Sequence, residues 1–172
     1  MKPIIIAAVG IDGAIGKDND LLWHVPEDFK RYKERTTGNI LIVGRKTYES
    51  LPFKALQNRT HIVVQTNYKD LIDVPNGCDV RTAYSINEAI ELANELKTEE
   101  QEIFVIGGAQ LYESMIDECD EAEITWINKM YEDANKHFPI NKLFNDFSIT
   151  GDQSWSHSDK GLLYKFTYYK RK

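Results

Sequence analysis

Five short apolar runs constrain this chain more than any other feature. Residues 4–9, 40–43, 62–64, 103–106 and 124–127 are rich in isoleucine and valine and almost unbroken by polar side chains. A strand with one wet face alternates apolar and polar residues, whereas an unbroken run must be covered on both faces. Between these runs lie stretches of helical spacing at 26–35, 47–51, 86–97 and 110–116. Strand and helix therefore alternate, and the chain is expected to build a sheet largely from parallel crossovers. The third helical stretch carries Ile86, Ala89, Ile90, Ala93 and Leu96 on one side and opens with Ser85 three residues before Glu88, a capping-box spacing. Its acidic end, Glu99-Glu100-Gln101-Glu102, reads as a solvated face. Toward the C-terminus, residues 147–150 and 162–169 read as strands separated by the polar stretch 154–161, an antiparallel hairpin. Trp155, Tyr164, Phe166, Tyr168 and Tyr169 are then sheet packing.

A chain of 172 residues is long enough to bury one sizeable core, and a single domain over 1–172 is expected. Its net charge of −6 argues against a nucleic-acid surface and for small-molecule partners, while leaving room for a local basic pocket. Cys78 and Cys119 have no metal-ligand spacing and read as inert thiols in a reducing compartment. The apolar start is interrupted by Asp12 and reads as a buried strand rather than a leader. No run is long enough for a membrane helix, so a compact cytoplasmic protein is expected.

Asp28 is the residue that needs an explanation. Val25-Pro26 reads as a helix start, since a proline at the first helical position loses no hydrogen bond. From there Val25, Asp28, Phe29 and Tyr32 fall on one helical face, while Glu27, Lys30, Arg31, Lys33 and Glu34 lie mostly elsewhere. A carboxylate inside an apolar stripe costs stability unless it meets a partner. It either answers the helix dipole from the first turn or serves a ligand, and the helix alone leaves both open.

Ligands of open α/β sheets settle beyond the carboxyl ends of the strands, where loops lead into helices. Val43-Gly44-Arg45-Lys46-Thr47 is one such junction, fit for an anion or simply a solvated basic pair. Ile106-Gly107-Gly108-Ala109-Gln110 is another: paired glycines let a pyrophosphate approach the main chain, or else make a tight turn. The six-residue dinucleotide fingerprint is absent from it. Gly10, Gly13 and Gly16 precede no periodic helix and read as a flexible loop over the first strand, able to act as a lid. His24, His61, His137 and His157 show no ligand spacing, so no metal site is expected. Ser50 and Ser114 lack a nucleophile-elbow context.

Taken in order, these segments resemble dihydrofolate reductase along nearly the whole chain. The likeness is carried by Ile6-Ala7-Ala8, Ile15-Gly16 with Asn19, Leu22-Trp23-His24-Val25-Pro26-Glu27-Asp28 and Val43-Gly44-Arg45-Lys46-Thr47-Tyr48-Glu49-Ser50. It continues through Asn58-Arg59, Ile106-Gly107-Gly108 with Tyr112, Thr125 and His137-Phe138-Pro139. The resemblance implies an α/β fold with a central, mostly parallel eight-stranded sheet, an antiparallel C-terminal hairpin and flanking helices. It implies NADPH as hydride donor and 7,8-dihydrofolate as acceptor, supplying tetrahydrofolate for one-carbon metabolism and thymidylate synthesis. Under it Asp28, Trp23 and Leu21 are catalytic. Asp28 would accept paired N–H groups from the 2-aminopyrimidine edge of the pterin, with Thr125 helping to hold that edge. It would favour protonation at N5 during hydride transfer to C6 without being the direct donor. Ile6, Ala7, Phe29, Tyr32, Leu51, Arg59, Ile106 and Tyr112 would complete the substrate site, with Arg59 at the α-carboxylate of the glutamate tail. Ala8, Ile15, Gly16, Gly44, Arg45, Lys46, Thr47, Thr66, Gly107, Gly108, Ala109, Gln110 and again Tyr112 would contact the cofactor. Arg45 and Lys46 would favour NADPH over NADH. Dihydrofolate and antifolate-like molecules are the implied ligands, and a monomer is the family's usual state.

Three departures stand out. Leu22 occupies a position where the family often has proline, and Ala134-Asn135-Lys136 stands where Gly-Asp-Thr is frequent, which puts the hydrogen bonds to the lid in question. Residues 53–58 lack the usual Pro-Gly before the arginine, a departure in the wall around the glutamate tail. Two rival readings remain: a same-fold reductase of a ribosylated pyrimidine in flavin synthesis, against which the first-helix acid argues, and a folate- or nucleotide-binding protein without turnover.

Overall fold

All five apolar runs become parallel strands covered on both faces. A computed structural model describes residues 1–18, 22–51 and 57–172. Its first half contains β1 (Ile4–Gly10), β2 (Ala14–Gly16), α1 (Pro26–Thr36), β3 (Ile40–Gly44), α2 (Arg45–Ser50), β4 (Thr60–Val64) and β5 (Asp79–Ala83). Then follow α3 (Ile86–Leu96), β6 (Ile103–Val105), α4 (Ala109–Met115) with a 3-10 turn (Ile116–Glu118), and β7 (Glu121–Ile127). The chain closes with β8 (Lys136–His137), α5 (Ile140–Asp146), β9 (Phe147–Asp152), β10 (Ser156–His157) and β11 (Leu163–Arg171). The main sheet runs β10-β11-β7-β1-β6-β3-β4-β5, and β9 also pairs with β11. Nine segments thus fill eight positions, because β9 and β10 line the edge of β11 that faces away from β7. The strands from β7 to β5 are mutually parallel, and β11 is antiparallel to both β7 and β9. The expected mostly parallel eight-stranded sheet with an antiparallel C-terminal hairpin is what forms.

Ile5, Ile40, Ile42, Ile62, Ile103 and Val105 pack on one side with Ala89 and Ala93 of α3, Leu111 and Met115 of α4 and Leu143 of α5. On the other side Ile4, Ile6, Leu41 and Phe104 meet Tyr32 of α1, and Val43 and Val63 meet Tyr48 of α2. Fully burying each such aliphatic side chain is worth about 1.5–3 kcal/mol, which is why unbroken apolar runs end up inside. The N-cap of α3 forms as its spacing predicts, Ser85 Oγ accepting from Glu88 N at 3.1 Å, while the returning Glu88 carboxylate accepts from Tyr84 N at 2.8 Å, one residue before the cap.

The sequence pattern missed some elements. β5 is polar and half exposed, as an edge strand is, and so read as loop. The short α5 and the two-residue β8 carry too little periodicity to register. α2 begins at Arg45, before the expected start at residue 47, because the helix takes over directly from Gly44. α4 likewise begins at Ala109 and gives way to the 3-10 turn at Ile116. Trp155 is 39% exposed and lies under the Lys165 ammonium rather than in the sheet packing expected of it.

Candidate active site

The sheet splits between β1 and β6. Their pairing ends at Ile5 opposite Val105, while β1 continues to Gly10 along β7 alone. Beyond the split the carbonyl of Ile6 is taken by the Tyr112 hydroxyl at 2.8 Å. A crevice at the carboxyl ends of strands, where the connections diverge to opposite sides, is where an open α/β sheet takes its ligand.

α1 delivers Asp28 to this crevice. Pro26 starts the helix, Val25 before it is buried, and Thr125 Oγ1 on β7 donates to Asp28 Oδ1 at 2.6 Å. Burial pushes the Asp28 pKa up, while the Thr125 hydrogen bond and the Arg31 charge oppose the rise. Of the two readings of this acid, the dipole alone does not account for a carboxyl withdrawn from water onto a buried threonine. Tyr32 packs with Ile6 and Ile106, and Ile106 in turn packs beside Leu51. Phe29 departs from the expected buried stripe: it is 39% exposed at the mouth, its ring 5.3 Å from that of His24. Arg31, expected away from the apolar face, is buried, because Glu123 on β7 receives it. A glutamate two positions before Thr125, just ahead of the apolar run 124–127, was the available signal.

Arg59 sits at the other end of α1. Its Nε donates to Thr36 Oγ1 at 2.9 Å and its Nη2 to Lys33 O at 3.3 Å and Thr37 Oγ1 at 3.1 Å. Nη1 donates to Gln57 O at 3.0 Å. The guanidinium therefore caps the Lys33 carbonyl in the last turn of the helix and holds its charge near Tyr32.

The two glycine junctions meet. Gly44 N donates to Gly107 O at 2.8 Å, bringing the starts of α2 and α4 together. The Gly107–Gly108 peptide is cis and Gly107 has φ +102. A Cβ on Gly107 would lie 3.0 Å from the Tyr112 ring, and one on Gly108 only 2.7 Å from Thr47 Oγ1. These positions admit only glycine, so main chain and two helix starts line the cradle, the donor set a pyrophosphate needs. Ala109 and Gln110 open α4 beside it. Arg45 and the exposed Lys46 flank the cradle, but Arg45 also pairs with Glu49 at 3.0 Å and Asp70 at 3.6 Å. Thr66 follows β4 and is exposed. These residues fit a dinucleotide carrying an extra phosphate.

The lid is more tied down than its glycines suggest. Asp12 accepts from Ala14 N at 3.1 Å and Tyr131 N at 2.7 Å, and β2 pairs with β8. Asn135 exchanges hydrogen bonds with Asp18, and its N–H donates to Gly16 O at 3.2 Å. Lys17 pairs with Asp133 at 2.8 Å. Asn135 therefore binds the lid where the sequence departure had put such bonds in question. Ala7 is buried, whereas Ala8 and Ile15 are half-buried beside Gly16. Trp23 is buried with its ring 5.3 Å from that of Tyr131. Leu21, Asn19 and residues 53–56 lie outside the described residues. Among the described residues no cluster of metal-ligating side chains occurs, and no helix is long and apolar enough to cross a membrane.

Comparison with known proteins gives one answer. A family model described as dihydrofolate reductase matches residues 3–171. The dihydrofolate reductase of Bacillus subtilis (strain 168) is 35% identical over 167 residues, covering 97% of this chain and 93% of its own. That of Staphylococcus aureus (strain N315) is 31% identical, covering 92% and 91%. Among solved structures, Enterococcus faecalis dihydrofolate reductase complexed with NADP(H) and RAB-propyl superposes with a TM-score of 0.80 at 27% identity, over 99% of this chain and 96% of that one.

Proposed function

The chain belongs to the dihydrofolate reductase family and catalyses the NADPH-dependent reduction of 7,8-dihydrofolate to 5,6,7,8-tetrahydrofolate, and on that premise we propose that Asp28 binds and polarises the pterin. The observation behind this assignment is the 2.6 Å bond from Thr125 to a carboxyl withdrawn from water at the split in the sheet. Thr125 occupies one side of the carboxylate, and the rest accepts paired N–H groups from the 2-aminopyrimidine edge, a charge-assisted contact that fixes the ring. The negative charge held beside the ring favours proton uptake at N5 through water, and Trp23 shields that path. Ile6, Ala7, Phe29, Tyr32, Leu51, Ile106 and Tyr112 wall the pterin and aminobenzoyl groups. Thr36, which binds Arg59, lies eight helical steps beyond Asp28, about 12 Å along the axis at 1.5 Å per residue. That span suits a ligand with a ring edge at one end and a carboxylate, taken by Arg59, at the other.

When bound, NADPH supplies the hydride. Gly44, Thr47, Gly107, Gly108, Ala109 and Gln110 hold its pyrophosphate, while Ala8, Ile15, Gly16 and Tyr112 line the crevice. Arg45, Lys46 and Thr66 take the extra phosphate, Arg45 by turning from Asp70. The protein acts as a one-domain monomer in the cytoplasm, and antifolate-like molecules compete with dihydrofolate. The test is absorbance-monitored NADPH oxidation on adding dihydrofolate, with NADH alongside. Substrate-dependent oxidation, at least tenfold more efficient with NADPH, is expected. Folded protein that oxidises neither cofactor overturns the catalytic reading, and equal use of both overturns the phosphate roles of Arg45 and Lys46.

A further inference from the structure

Helix α1 and strand β7 grip each other twice. At the helix start Thr125 holds Asp28. Farther along, Arg31 Nη2 donates to Glu123 Oε2 at 2.6 Å, and Arg35 donates from Nη2 to Glu123 Oε1 at 2.6 Å and from Nε to both oxygens at 3.1 Å. Arg35 also pairs with Glu102 at 3.0 Å. The Arg31 guanidinium lies 4.7 Å from the Phe166 ring centre and 5.2 Å from that of Tyr168 on β11. Only 10% and 8% of the Arg31 and Glu123 side chains remain exposed.

Buried ion pairs recover their desolvation cost poorly, and packed apolar side chains would hold the helix at least as well. Stability alone does not account for a cation here. Asp28 precedes Arg31 by three residues, the spacing at which helical side chains interact, and Glu123 and Thr125 share one strand face. We propose that Arg31, clasped by Glu123, is a positioning residue that keeps the Asp28 carboxyl ionised for the substrate. The proposal rests on the assignment of Asp28 above. Glu123 has a second part in it: by occupying the guanidinium it stops Arg31 from taking the carboxylate oxygens that the pterin edge requires. Among the described residues Arg31 has its ion pair with Glu123 and none with Asp28. Among the described residues the other groups near Asp28 do not supply a cation. Tyr32 on α1 and Tyr112 on α4 are pushed by burial well above the ordinary phenol range and stay neutral, and Glu27 is engaged by the Ser158 hydroxyl at 2.8 Å.

The experiment is a carboxyl carbon NMR titration of Asp28, assigned by its loss in Asp28→Asn, in the whole protein and in Arg31→Met, Arg31→Lys and Glu123→Gln. The pH profile of single-turnover hydride transfer is measured beside it. Arg31→Met is expected to raise the protonated-to-ionised ratio of Asp28 at least threefold at a fixed pH, and Arg31→Lys to restore most of the difference. Glu123→Gln, which removes a negative charge and releases Arg31, is expected to move the ratio the opposite way. The acid limb of hydride transfer follows the titration. A merely structural pair lowers stability in all three variants without moving Asp28, and that result overturns the proposal, as does a shift of the same sign in Arg31→Met and Glu123→Gln. If Glu123→Gln does not fold, equal titrations for Arg31→Met and Arg31→Lys overturn it. Expected shifts together with full activity of Asp28→Asn uphold the electrostatic coupling and overturn the Asp28 assignment instead.

Discussion

Two titratable groups, half-buried Asp28 in the crevice and fully buried His61 near the start of β4, are perturbed for the same reason and serve different ends. His61 is fully buried, its ring centre 6.1 Å from that of Tyr48. Burial, helped by the neighbouring Arg59 charge, lowers its pKa from 6.5 to about 4. Burial raises that of Asp28 instead, because there the charged form is the basic one. His61 is enclosed between two neighbouring strands and α2, so its neutrality is a packing condition. Asp28 lies where the sheet parts and where Thr125 meets only one of its oxygens. A perturbed pKa is thus a mark of burial, and the open crevice beside the group is what turns it into chemistry.

The largest effect expected from breaking this contrast is at Asp28. Asp28→Asn keeps an acceptor for Thr125 but loses the charge, and kcat/KM for dihydrofolate should fall about a thousandfold, roughly 4 kcal/mol of transition-state stabilisation. Thermal stability at pH 7 should rise, since the folded protein no longer holds a charge that burial disfavours. Steady-state kinetics and a melting curve on one preparation test both. A variant with lost activity and lost stability would make Asp28 a structural residue like His61.

Sequence made one side of this contrast legible. The parallel strands and α3 follow from their apolar spacing, and Asp28 was conspicuous as a charge among apolar neighbours. What stayed hidden depends on distant partners: Arg31 is buried by Glu123, ninety-two residues away, and the lid is tied by Asn135. β5 stayed hidden for the opposite reason, since an edge strand needs no apolar face. The family likeness suggested a role for Arg59 and favoured the anion readings of the two glycine junctions, where spacing had left an anion site beside a basic pair and a pyrophosphate site beside a tight turn.

Acid titration separates the two groups by sign. Above pH 6.5 His61 is neutral in both states and its contribution is complete. Below it the unfolded chain takes up a proton that the folded chain refuses until about pH 4, so stability falls by about 3 kcal/mol across that window. Asp28 runs the other way: its folded pKa lies above 3.8, so the folded chain binds the proton first and stability rises as pH falls toward that value. Denaturant unfolding between pH 7 and 4 should show a decline that flattens in His61→Gln and steepens in Asp28→Asn. His61→Gln should leave kcat/KM at pH 7 within about twofold. A decline unchanged in His61→Gln would assign the acid sensitivity elsewhere.

The smallest expected effect comes from Thr125→Val, and it sharpens the contrast most finely. Thr125 is 1% exposed, so valine fills the same space and removes only the hydroxyl. A hydrogen bond to a charged group is worth about 1.5–3 kcal/mol, but water reaching the crevice replaces part of it. The expected loss is about tenfold in kcat/KM, roughly 1.4 kcal/mol. Because the hydroxyl donates to the ionised carboxylate, its removal should also raise the Asp28 pKa further and carry the acid limb of the rate profile to higher pH. Loss of activity without that displacement would mean that Thr125 holds the pterin edge itself and acts on Asp28 only by packing. Displacement without loss would mean that the carboxylate keeps its orientation from α1 alone. Only both together make the hydrogen bond from Thr125 to Asp28 the feature that separates a working acid from a merely buried one.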